Sequence, residues 1–311
     1  MSDSRTKRLI LTCAAGLSVL LVVIIAGKSA FGKRMDKETE SCPVPVNLNE
    51  TLTNEMSDTS CLAGFDKIVK DYLTYWGIHG ASLSVMRNDS LLFAKGYGEA
   101  DTDKKMGPGN ILRMASVSKL VTAVGIMVLQ ERGLLSIKDH VFGPDGILND
   151  SAYVAAIKDT LYNRITVEDL LRHKGGFSKR GGDPMFSTRW IMMQNGWKEV
   201  PTQEQLMELQ LKRRVKFVPG TAQEYSNFGY LALSMVIEKV SGMDYETFMQ
   251  ENVLRPIGCV DFHIAGNYYK HKLPNETRYY VQHDDEPAEE FNNSGRKVIR
   301  CYGGNNVAGL S

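Results

Sequence analysis

The sequence predicts an α+β body behind a membrane-spanning helix, and three observations carry that expectation. Residues 9–26 form an uncharged run with few polar residues, residues 64–97 read as a helix followed by a β-hairpin, and helical periodicity dominates from there to about residue 258. A chain of 311 residues, 43% apolar and 23% charged, is long enough to bury a substantial core. Its formal net charge of +1 gives no reason to expect a nucleic-acid partner, and the run Lys212-Arg213-Arg214 reads as a solvated helix face.

Leu9 to Ala26 carries no charge, and its length suits the roughly 17–25 residues of a membrane-spanning helix. Arg5, Lys7 and Arg8 precede it, while Lys28, Lys33, Arg34 and Lys37 follow it, so the basic flanks do not fix its orientation. The expected organisation is a cytoplasmic segment over 1–8, a signal anchor over 9–27, a polar linker over 28–60 and a folded domain over 61–311. Cleavage as a signal peptide is poorly marked, because Lys28 would stand at −3 for a cut after Ala30. N-x-S/T triplets begin at Asn49, Asn88, Asn149, Asn275 and Asn292, which suits a lumenal or extracellular, glycosylated body. Beyond the anchor lie Cys42, Cys61, Cys259 and Cys301. An even number suits an oxidising compartment, and Cys42–Cys61 with Cys259–Cys301 is the simplest of three disulfide pairings. A secreted form and a mitochondrial address are the alternatives; Asp3 and the long apolar run argue against the second.

In the body, Phe65, Ile68, Val69, Tyr72 and Leu73 recur at helical spacing. Ala81, Leu83 and Val85 then alternate with polar residues, Asn88-Asp89 offers a turn, and Leu91 to Tyr97 reads as the returning strand. After a Gly/Pro-rich loop, Val117, Leu120, Val121, Val124, Met127 and Val128 predict a helix apolar nearly all round, hence buried, and ending at Gly133. Thr166 with Asp169 is a near capping box for a helix over Val167 to Arg172. Ser178 to Val200 reads as a long functional loop, and helices follow from Thr202, over Phe228 to Val240, and over Tyr245 to Val253. Tyr268 to Ser294 reads as a solvated, acidic loop.

Two short patterns carry chemistry. Ser116-Val-Ser-Lys119 opens the apolar helix, and residues three apart on a helix face the same way, so Lys119 reaches the Ser116 hydroxyl. Ser4…Lys7 and Ser294…Lys297 share the spacing, but neither opens an apolar helix. Tyr225-Ser-Asn227 stands just before a second helix, on the order of a hundred residues downstream of Ser116. A phenol near an ammonium can carry a proton for the serine, and an amide such as Asn227 can hold a substrate amide with both its donor and its acceptor.

With these pieces in order, the chain resembles the serine β-lactamase and penicillin-binding-protein superfamily, in its class C β-lactamase and D-alanyl-D-alanine carboxypeptidase branch with animal β-lactamase-like relatives. The resemblance runs from about Gly64 to Ser311. Besides the two patterns above it rests on Gln130-Glu-Arg-Gly-Leu-Leu135, Thr166-Val-Glu-Asp-Leu-Leu-Arg-His-Lys-Gly-Gly176, Phe217-Val-Pro-Gly220 and Leu254-Arg-Pro-Ile-Gly258. It implies a β-lactamase/transpeptidase-like fold, a helical subdomain beside an antiparallel sheet. It also implies that Ser116 is the acylated nucleophile, that Lys119 eases its deprotonation, that Tyr225 shuttles the proton and that Asn227 orients the substrate. The Ser116 N–H would lie in the oxyanion hole. His173 falls in a shared stretch and reads as structural, holding a helix end through its imidazole.

The superfamily's third motif, K-T-G or H-x-G on a sheet-edge strand, has no counterpart after Tyr225. The sheet is therefore expected to lack its C-terminal strands, and the chain to be a shortened form. Two functions stand open: a membrane-anchored serine hydrolase acting on a small-molecule or peptide amide or ester, and a catalytically inactive scaffold or binding protein of the same fold. No cofactor or metal is expected, since the histidines are scattered and no C-x-x-C spacing occurs. An α/β-hydrolase is excluded for want of a complete G-x-S-x-G.

Overall fold

The computed structural model describes residues 48–180, 182–266, 271–279, 290–293 and 296–299. The chain divides into two compact units, Met1–Val44 and Pro45–Ser311, and the first lies outside the described residues. The expected anchor over 9–27 lies there too; among the described residues no helix is long and apolar enough to cross a membrane.

In the second unit, short helical turns at Leu48–Thr51, Asn54–Ser57 and Ser60–Leu62 lead to helix α1 (Ala63–Trp76), closed by Gly77 in the left-handed conformation, whose N–H returns to Leu73 and Thr74 carbonyls. Strands β1 (Gly80–Arg87) and β2 (Ser90–Asp101) pair antiparallel from Gly80↔Gly98 to Arg87↔Ser90, and β3 (Lys104–Lys105) adds to β2, giving the order β1-β2-β3. Asn88 and Asp89 take φ of 50° and 58°, the left-handed pair that a two-residue hairpin turn demands and that these residue types tolerate. Lys95 on β2 is buried between Asp58 and Asp66, and Tyr97 donates to Asp66 at 2.7 Å, which ties α1 to the sheet.

The helical part holds the main core. Helix α2 (Ser118–Glu131) packs on α7 (Asn227–Ser241) and α8 (Tyr245–Met249); α3 (Ser151–Ala156), α4 (Val167–Leu171), α5 (Thr188–Asn195) and α6 (Gln203–Leu211) come between them in sequence. Phe142, Tyr162, Phe177 and Phe228 form an edge-on aromatic cluster at its centre, with the Phe177–Phe228 centroids 4.9 Å apart. Gly125 lets α2 approach closely: a Cβ there would meet Met249 Sδ at 2.7 Å. Thr166 and Asp169 form the full reciprocal capping box on α4, and Thr202 with Gln205 does the same for α6.

Several expectations are corrected. Helix α2 is not buried all round: Ile126 and Leu129 face the core, but Val117, Leu120, Val124 and Met127 make an exposed stripe, Leu120 at 68%. An apolar circumference permits burial, but a second layer must also be present to cover it. Ser178 to Val200 is not one loop, since it holds α5, stopped by Gly196 in the left-handed conformation. Within Tyr268 to Ser294, residues 290–293 form strand β4 (Glu290–Asn293), antiparallel to β5 (Arg296–Ile299). Cys61 and Cys259 are exposed free thiols, so neither Cys42–Cys61 nor Cys259–Cys301 is joined here; Cys61 Sγ instead lies 3.2 Å from Thr59 Oγ1. Cys42 and Cys301 lie outside the described residues.

Candidate active site

Ser116 stands in a single 3-10 turn (Ala115–Val117) that leads into α2. Val117 N–H closes this turn on the Met114 carbonyl at 3.1 Å, and a backbone N–H at the start of a helix is suited to meet a developing oxyanion. Ala115 just before it holds φ of 49°, an uncommon conformation for a residue with a Cβ. The approach to this turn is locked from behind. Arg113 pairs with the buried carboxylate of Glu276 at 2.8 Å and donates to the Gly266 carbonyl, while its own N–H reaches Tyr279 Oη. Ile111 bridges Glu276 in parallel, so residues 275–279 brace the loop that carries the serine.

The structure brings Lys119 and Tyr225 to Ser116. Tyr225 Oη donates to Ser116 Oγ at 2.7 Å, and Lys119 Nζ lies 3.4 Å from the same oxygen, a looser contact. Lys119 is only 6% exposed, and its head sits over the Tyr225 ring at 4.9 Å and the Tyr230 ring at 5.7 Å. Tyr225 is 44% exposed, so the serine, its phenol and the lysine open to solvent at one edge. Burial pushes the Tyr230 hydroxyl up from its ordinary value, and it donates to the Leu171 carbonyl. Tyr230 therefore serves as wall, and Tyr225 is the phenol that addresses Ser116.

Two backbone devices set Tyr225. The stretch from His173 to Gly176 pairs with residues 216–224: Glu224 N–H donates to His173 O at 2.9 Å and Lys216 N–H to Gly176 O at 2.7 Å. Gly176, at φ of 76°, lies so near the Phe217 carbonyl that a Cβ would stand 2.5 Å from it. Ser226 then N-caps α7 by accepting from Gly229 N–H, while its own N–H donates to His173 Nδ1 at 3.2 Å. The His173 ring lies against Tyr225 and Tyr230, and burial first, then Lys119 and Lys179, holds it below its ordinary pKa, so it is the neutral acceptor that Ser226 needs.

Asn227 opens α7 beside these residues but is not free at both ends. Its Nδ2 donates to Asp183 Oδ2 at 3.1 Å, and its buried Oδ1 meets no donor. Sequence reasoning missed Asp183 and Tyr230. The only local signal for Asp183 was Asp183-Pro184 in the glycine-rich stretch, where its Oδ1 accepts Met185 N–H as a turn. A cavity of about 650 Å³ lies elsewhere, by α1 and β2, but its buried Lys95 is already paired with two aspartates. Reactive side chains, rather than concavity, mark the site at Ser116.

A serine in hydrogen-bond contact with a phenol and an amine, at the mouth of a helix, is an arrangement chemically suited to acyl transfer through serine. The chain belongs to the Beta-lactamase family, whose model matches residues 65–307, and its helices and antiparallel sheet form the β-lactamase/transpeptidase-like fold. It is 25% identical over 188 residues to penicillin-binding protein 4* of Bacillus subtilis, covering 60% of this chain and 37% of that protein. Among solved structures, the octameric penicillin-binding protein homologue from Pyrococcus abyssi matches with TM-score 0.53 and 22% identity, over 80% of this chain and 53% of that one. The D-alanine carboxypeptidase AmpC from Burkholderia cenocepacia matches with TM-score 0.53 and 18% identity, over 73% and 56%. The chain thus spans well under two thirds of the length of these relatives.

Proposed function

We propose that the protein is a serine hydrolase that cleaves an amide or ester through an acyl-enzyme on Ser116. Membership of a serine hydrolase family supports the reaction class, and the 2.7 Å contact between Tyr225 Oη and Ser116 Oγ carries the assignment of roles. As Ser116 Oγ bonds to the substrate carbonyl carbon, the Tyr225–Lys119 pair takes the hydroxyl proton and returns it to the departing nitrogen or oxygen. Water then attacks the acyl carbon while giving a proton to the pair, the bond from that carbon to Ser116 Oγ breaks, and the pair returns the proton to Oγ, freeing the acid and Ser116. The Ser116 N–H faces the carbonyl oxygen that turns negative. A small peptide, amide or ester is the proposed substrate. Anchoring through residues 9–27, with the body lumenal or extracellular, belongs to the same proposal and rests on the apolar run and the N-x-S/T triplets.

The second reading is a binding protein of the same fold, in which the contacts at Ser116 hold a ligand without turnover. Turnover decides between the two. Purified protein is given a chromogenic ester and a chromogenic cephalosporin beside a Ser116→Ala control. Hydrolysis that disappears in the control supports the enzyme; no hydrolysis above the control supports the binding protein.

A further inference from the structure

We propose that the cavity between α1 and the β2–β3 edge is a binding site for a small organic anion with an apolar body. None of Ser116, Lys119, Tyr225 and Asn227 lines it, so the proposal stands whether or not the protein turns a substrate over.

At about 650 Å³ the cavity falls within the roughly 300–1,000 Å³ of small-molecule sites. Leu73, Ile78 and Met106 give it apolar wall. Three lysines reach it from three elements: Lys70 from α1, Lys95 from β2 and Lys105 from β3. Among the described residues no carboxylate lines it. The helical repeat explains the contribution of α1, since Lys70, Leu73 and Thr74 lie three and four apart and share one face.

The acids closest to these lysines leave them available. Asp66, one helical turn before Lys70, has both oxygens occupied: one accepts from Lys95 at 2.5 Å and the other from Tyr97 at 2.7 Å. Glu99 stands opposite Lys105 in the strand register, yet no ion pair joins them, and Lys70 and Lys105 pair with no carboxylate among the described residues. An ammonium has three donors. Lys95 gives one to Asp58 and one to Asp66, which leaves a third N–H without an acceptor on a side chain still 9% open. The free polar groups of the wall are therefore donors that carry positive charge. A carboxylate or phosphate accepts only, so it complements them, while the body of the ligand covers Leu73, Ile78 and Met106. A cationic ligand would be repelled.

The test titrates the full chain by calorimetry, at neutral pH and low salt, with naphthylacetate and with the neutral alcohol naphthylethanol. The expected result is an affinity at least about ten-fold higher for the anion, as charge-assisted contacts to two lysines allow. In Lys70→Gln/Lys105→Gln, two exposed positions, the anion binds no better than the alcohol. Added salt narrows the preference in the unaltered protein. Equal affinities, no binding of the anion at millimolar concentration, or a preference that survives the double variant overturns the proposal. Lys119→Met separates the cavity from the serine centre. A preference that persists in Lys119→Met supports the cavity, and one lost there places the anion at Ser116 and overturns the proposal.

Discussion

His173 lies against Tyr225 with ring centroids 4.6 Å apart, and its Nδ1 accepts the N–H of Ser226, the residue between Tyr225 and Asn227. One imidazole therefore holds both the phenol that faces the serine and the start of the helix that carries the amide. His173→Phe preserves the ring but removes the acceptor. It is expected to destabilise the fold by about 1–3 kcal/mol, the cost of an unpaired buried N–H, and to lower kcat by misplacing Tyr225. Chemical denaturation and ester hydrolysis check the two effects together; loss of neither contradicts the assignment.

The same imidazole makes stability depend on pH. His173 is held below its ordinary 6.5, so the unfolded chain binds the proton more readily than the folded one. Its contribution is complete above about 6.5 and declines as pH falls through that value, levelling once folded His173 is protonated as well. Urea midpoints between pH 8 and pH 5 should fall on acidification, and by less in His173→Phe. A midpoint that rises over this range contradicts the sign.

Lys119 is buried among aromatic rings, and no carboxylate pairs with it among the described residues. Lys119→Met keeps the packing and removes the polar head. Turnover is expected to fall by a factor of about 10² or more, while the melting temperature stays level or rises, since a functional site often costs stability. Circular dichroism melts beside kinetics make the comparison. A variant that unfolds would assign Lys119 to structure instead.

Arg113 and Glu276 form a pair closed to solvent, with the Glu276 side chain wholly buried. Removing one partner leaves an uncompensated charge, so Glu276→Gln or Arg113→Met should each cost about 3–5 kcal/mol. The double variant should cost less than the two together, because the pair fails as a unit. Additive losses in a double-mutant cycle would show that the two side chains act separately.

The two faces of α2 give a sharper contrast. Ile126 is fully enclosed, so Ile126→Ala should cost about 2–5 kcal/mol. Leu120 stands exposed on the opposite stripe, so Leu120→Ser should shift stability by no more than about 0.5 kcal/mol. A large loss at Leu120 would mean that another layer covers this face in solution.

What the sequence made legible was local. Thr166 with Asp169 and Thr202 announced their helices because a capping box is written within four residues, and Ser116 with Lys119 was visible because one helical turn joins them. Tyr225 was found through its place before a helix, although its contact with Ser116 spans 109 residues. The Asp183–Asn227 bond spans 44 residues and joins a loop to a helix start, and no periodicity reports that. Helix α5 was hidden because Ser187 makes no side-chain cap and its methionines suggest no face. The exposed stripe on α2 escaped for a different reason, since apolar spacing records the capacity for burial while the covering layer is a tertiary matter.

The most direct test of the central claim is the mass of the protein after quenching with a slowly released acyl donor, followed by peptide mapping. The account predicts one added acyl group on the peptide containing Ser116, absent in Ser116→Ala and formed far more slowly in Tyr225→Phe. An acyl group carried on any other residue, or undiminished labelling in Ser116→Ala, would contradict it.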